Sequence, residues 1–144
     1  MTAPSPRVGI STISFRHRPP AEALRLIAEI GAEEIDLGAI PAVTEHVPVP
    51  FEGDPAQYVS AITAAGLRTG AVNADPGDLN DPDLTSADLT TVIEPLASLA
   101  AALGAALIVP AGRADHAPIV DHDSDLDRIA ENLGLISEIC AAHG

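Results

Sequence analysis

The sequence predicts an α/β fold: four consecutive βα units forming the N-terminal half of a (β/α)8 TIM barrel, as one domain over residues 1–144. Glycines at positions 31, 66, 104 and 144 each close an amphipathic stretch, at spacings of 35, 38 and 40 residues. The first three are followed by a short apolar run. This is the order helix, glycine cap, strand, because glycine tolerates the left-handed conformation that ends helices. The longest irregular stretches, 38–53, 75–84 and 111–123, all separate a strand from the helix after it. Long βα loops with short returns place a working face at the strand C-termini. The apolar residues are mostly small or branched aliphatics, with no Trp, one Tyr and two Phe, as in parallel sheets covered by helices.

The elements follow in order. Short apolar runs predict strands over 8–13, 34–37, 69–74 and 106–110. Pro20 suits a first helical turn, and Leu24, Ile27 and Ala28 form the apolar face behind it. Asp54 caps the second helix, with Pro55 at its first position and Gln57 placed to complete a capping box. Tyr58, Ile62 and Ala65 supply its stripe. The third helix begins near Thr85–Asp88, and Pro95 predicts a kink or a later true start. The fourth begins at Ser124–Asp127 with Leu126, Ile129, Leu133, Ile136 and Cys140 on one face, which makes Cys140 a core residue. Four parallel strands cannot close a barrel that needs eight, so the sequence is expected to continue into a fifth strand.

The formal charge is −14, lysine is absent, and the seven arginines are scattered. Nucleic-acid binders neutralise phosphates with Lys and Arg, so this surface argues against a nucleic-acid partner. A single cysteine permits no intrachain disulfide. No segment reads as a signal peptide or membrane span, which gives an expectation of a cytoplasmic protein without a membrane partner.

The opening Arg7-Val8-Gly9-Ile10-Ser11-Thr12-Ile13-Ser14-Phe15 resembles the first strand of the xylose-isomerase-like barrels, the sugar phosphate isomerase/epimerase group. Residues 23–37, with Ile30-Gly31-Ala32-Glu33-Glu34-Ile35-Asp36-Leu37, resemble that family's first helix and second strand. Residues 99–112 are similar to its fourth unit, although Pro110-Ala111-Gly112 stands where many members carry a histidine near a glycine. The resemblance implies an isomerase or epimerase of a small sugar, polyol or sugar phosphate. It also implies a divalent metal (Mg, Mn, Co or Zn) held by residues of the later strands, the first a glutamate closing strand five. This chain alone is then expected to bind no metal and to be inactive.

The candidate substrate-binding residues sit where barrels put working groups. Asp36, at the end of the second predicted strand, can accept hydrogen bonds from sugar hydroxyls or orient a general base. Asn73, at the end of the third, can both donate and accept. Ser14 and Phe15 end the first strand and suit a polyol's polar edge and apolar face. His46, in the second βα loop, can touch substrate or gate the site, and Arg113 suits a phosphate or carboxylate. His116, Asp121, His122 and Asp123 form a His/Asp cluster. Closed metal sites need three or four ligands in fixed geometry, and a polar loop with a helix cap explains these residues more simply. No glycine-rich phosphate cradle follows the first strand and no nucleophile elbow is present. The rival to an enzyme is a non-catalytic half-barrel that binds or assembles, with self-association through exposed strand edges.

Overall fold

The computed structural model describes residues 8–44, 46–110 and 122–144. Its order is β1 (Ile10–Ser11), a 3-10 helix (Thr12–Phe15), α1 (Pro20–Ile30), β2 (Glu34–Ala39), α2 (Pro55–Ala64), β3 (Arg68–Ala74), α3 (Ser86–Leu103), β4 (Ala106–Ile108) and α4 (His122–His143). The strands form one sheet in the order β1-β2-β3-β4, every pairing parallel. Four βα units in sequence order are half of a TIM barrel.

The helix ends follow the local chemistry. Gly31 and Gly104 cap α1 and α3 at φ 86° and 63°, a conformation that strains any residue with a Cβ. Asp54 Oδ1 accepts from the Ala56 amide at 2.9 Å, and Thr85 Oγ1 accepts from the Asp88 amide at 3.1 Å. Pro95 neither delays nor ends α3, which runs unbroken from Ser86 to Leu103. Neighbouring Ile93 and Leu96 are fully buried, and that burial outweighs the one hydrogen bond the proline cannot donate.

Several boundaries differ from the sequence expectation. β1 stops at Ser11 because the chain turns there: Ser11 Oγ accepts from the Ile13 amide at 3.3 Å, and Thr12 Oγ1 accepts from the Gly38 amide at 2.9 Å. β4 ends at Ile108, two residues before Pro110, which has no amide to give a ladder. β2 runs on to Ala39, since Gly38 and Ala39 pair with Asn73 and Ala74. α4 starts at His122, and its packed face keeps Ile129, Ile136 and Cys140 of the predicted stripe, adds Ile139 and leaves out Leu126 and Leu133. Ile136 and Ile139 are buried, whereas Leu126 and Leu133 are 46% and 38% exposed. Beside this face the Asn132 side-chain amide donates to the Leu79 carbonyl, in the connection between β3 and α3, at 2.8 Å. Leu133, one position on, is rotated about 100° away from it.

Two apolar cores result. In the first, Leu24 and Ile27 of α1, Ile62 of α2 and Leu96 and Leu99 of α3 cover Ile35, Leu37 and Val72 of the sheet. In the second, Leu79, Leu89, Ile93 and Ala97 meet Ile136 and Ile139 of α4. Cys140 packs against this second core. Burial pushes its thiol up, which keeps it protonated and poorly nucleophilic. Among the described residues, no helix is long and apolar enough to cross a membrane.

Candidate functional site

Helices α1 to α3 cover one face of the sheet, so the opposite face is the one a closed barrel would enclose. On β2, Ile35, Leu37 and Ala39 point to the helices, and the alternation of a strand sends Glu34, Asp36 and Gly38 to the concave face. In parallel register Ser11, Asp36, Ala71 and Ala106 form one row, with Gly38, Asn73 and Ile108 in the next.

A bulge makes this alignment possible. Ile35 pairs with Thr69 but Asp36 pairs with Ala71, so Gly70 is an extra residue in β3. Without it, strict alternation from buried Thr69 would turn Asn73 toward the helices. With it, Val72 and Ala74 enter the first core and Asn73 joins the face of Asp36. Glycine leaves room here, because a Cβ at Gly70 would lie 2.7 Å from Glu34 Oε1. The Glu34 side chain crosses that space to pair with the Arg68 guanidinium. Asp36 and Asn73, on neighbouring strands one pleat apart, have Cα atoms about 8 Å from one another by sheet geometry.

Asp36 carries the electrostatic feature of this face. The residue is half-buried, and its Oδ1 is buried with no hydrogen-bond partner among the described residues. An unsatisfied buried acceptor costs about 1–3 kcal/mol, a cost that a donor brought to this oxygen would relieve. Asp36 lies mid-strand, not at the strand end the sequence suggests, because β2 continues to Ala39.

Above Asp36 the face is closed down by packing. A Cβ on Gly38 would fall 2.7 Å from Ile13 Cγ1 and 2.8 Å from Thr44 Cγ2. Both neighbours are β-branched and stiff, so they cannot swing away freely. Gly38→Ala is expected to cost about 1–3 kcal/mol through overpacking, measurable by denaturant unfolding. Gly70→Ala should cost less, since the obstructing Glu34 side chain is long and flexible.

The remaining candidates separate. Ser14 is exposed on the 3-10 helix that follows β1. Phe15 packs against the first core. His46 is 4% exposed and lies on the helix side of the sheet. Its Nε2 is 3.0 Å from the Arg18 carbonyl, and its own carbonyl accepts from the Tyr58 hydroxyl at 3.1 Å. Burial pushes that Tyr58 hydroxyl up, keeping it a donor. Arg113, His116 and Asp121 lie outside the described residues, as does the side chain of His122. Among the described residues, no group of three or more His, Cys, Asp or Glu is arranged to hold a metal ion.

Comparison with solved structures places this geometry in a known fold. The chain is similar to an AP endonuclease, family 2, from Brucella melitensis, with TM-score 0.72 and 18% identity, over 97% of this chain and 53% of that one. It is similar to a 3-keto-D-glucoside 4-epimerase from E. coli, with TM-score 0.64 and 17% identity, over 97% and 54%. A xylose isomerase domain containing protein from Salmonella typhimurium gives TM-score 0.65 and 17% identity, over 97% and 48%. The chain thus spans about half the length of the solved structures it matches. No family model and no curated protein matches the sequence.

Proposed function

From the premise that this chain has the fold of the front half of a xylose-isomerase-like barrel, we propose that it forms the substrate-side wall of a cytoplasmic sugar or sugar-phosphate isomerase or epimerase. The carrying observation is the partnerless, buried Oδ1 of Asp36 on the concave face. In this reading Asp36 accepts from one hydroxyl of the sugar. Asn73, a row higher on the neighbouring strand, donates to or accepts from a second. Ser14 contributes at the rim, and Arg113 is the candidate for a phosphate. Proton transfer beside the carbonyl needs a positioned acid–base pair, and the residues proposed here bind and orient instead. The divalent metal implied by the resemblance would take its ligands from later strands. The described residues offer no set for it.

The similarity to an endonuclease carries less weight for function. A net charge of −14 opposes a phosphate backbone. On the concave face, the described cation Arg68 is engaged by Glu34.

A screen of aldoses, ketoses and their phosphates tests the proposal, using protein that carries both barrel halves with Mg, Mn or Co. Turnover of one of them supports it, and cleavage of abasic DNA in place of sugar turnover overturns it. The second reading, a self-assembling half-barrel, is favoured by the two outer strands, β1 and β4. Val8 and Ile108 beside those edges are 53% and 48% exposed, and unpaired edges template further pairing. Light scattering on the 144-residue chain should give dimers or larger species. A monodisperse monomer with a sharp melt removes that reading.

A further inference from the structure

The apolar residues of α4 are divided between two faces of the helix. Ile129, Ile136 and Cys140 pack into the second core. Leu126 and Leu133, on the adjoining face, are 46% and 38% exposed. At about 100° per residue, Ala130, Gly134, Ser137 and Ala141 carry that face further round the helix, and all four are exposed. From Leu126 to Ala141 no charged side chain falls within it, because Asp127, Glu131 and Glu138 lie beyond its far edge. The packed and bare arcs together take more than half of the circumference. A helix with one covered side needs an apolar stripe of only about 100°, so α4 is built for two covered sides and has one. The sheet is open in the same unit. β4 is an outer strand with one edge unpaired, and its Ile108 is 48% exposed.

We propose that the bare face of α4 is a docking surface for the helix of a further βα unit, supplied by polypeptide outside these 144 residues, whose strand pairs with the free edge of β4. A partner that covers β4 and α4 together must itself bring a strand and a helix. The face suits a helix in length, since Leu126 to Ala141 spans about 22 Å at 1.5 Å per residue. It suits one in relief as well. Two leucines stand as ridges, and a Cβ built on Gly134 between them meets nothing within 4 Å, so a second backbone can come close. Inside the molecule α3 sets the precedent, with α2 on one side of it and α4 on the other. The matched solved structures are about twice as long as this chain, which leaves room for such a unit. A second copy of the chain fits less well, because each copy carries a charge of −14 and like charges repel.

The test compares Leu133→Asp in two settings, the 144-residue chain and protein carrying both barrel halves, by thermal melting. Stability is the readout, so the result does not depend on which substrate is turned over. In the short chain the new carboxylate stays in water, and Tm should move by less than about 2 °C. In the longer protein the docked helix buries it without a partner, and Tm should fall by about 6 °C or more. Glu131→Ala, on the charged side of α4, should move neither. Where Leu133→Asp prevents the longer protein from folding, Leu133→Cys replaces it, with maleimide as the probe and the modified site read by mass spectrometry. Its reaction should be about tenfold slower or more in the longer protein than in the short chain. Equal Tm changes in the two settings, or equal maleimide rates, would overturn the assignment. Association of the 144-residue chain that Leu133→Asp abolishes would overturn it too, by giving the face to a second copy.

Discussion

Replacing Asp36 with Asn, in protein carrying both barrel halves, is expected to lower kcat/KM for its sugar substrate by about 10- to 150-fold. A hydrogen bond to a charged group contributes about 1.5–3 kcal/mol, and each 1.36 kcal/mol is tenfold in rate. The same substitution should leave the melting temperature unchanged or raise it. The Oδ1 oxygen is buried without a partner, so the folded chain gains no hydrogen bond there. A neutral side chain there is cheaper to bury. These opposite directions separate a substrate contact from a structural one. Retained activity with lost stability would show that Asp36 supports the sheet and does not contact substrate.

The second large effect concerns α4. Ile136→Ala should destabilise the chain by about 2–5 kcal/mol, the range for emptying a buried aliphatic site. Ile136 is 6% exposed in the second core. Leu133→Ala, three residues earlier on the same helix, should stay within about 0.5 kcal/mol, because Leu133 is 38% exposed. Urea unfolding of both variants measures the contrast. Equal losses would mean that Leu133 packs as fully as Ile136, as the sequence stripe has it, and does not face solvent as seen here.

That contrast marks where the sequence is readable. Helix caps are local, so Gly31, Asp54, Thr85 and Gly104 announce their elements within a few residues. The order of four βα units follows from them. Side-chain direction depends on partners far along the chain and is less visible. Asn73 can be placed near a strand end from its neighbours, but the face it occupies depends on the bulge at Gly70, and that bulge exists only against β2. Phe15 reads as the end of the first strand, and His46 as part of a loop at the barrel mouth. Their burial is decided by the first core and by a carbonyl 28 residues away. The early end of β1 is likewise set by Thr12 accepting from Gly38, 26 residues on. Asp36 was legible as an acid near the working face; its lack of a partner was not.

The two cores meet along α3 and at one strand residue. Among the described residues, Leu107 of β4 is the one side chain packed against both, and α3 is the element that feeds both. Cooperativity in a small domain comes from contacts that cannot be lost separately. Here the α3–α4 pair has its own apolar interior, so α4 can open while Ile35, Leu37 and Val72 stay covered. Amides of α4 should therefore exchange with solvent through a cheaper opening than those of β2 and β3. In energetic terms the molecule is two blocks joined along one helix and one leucine.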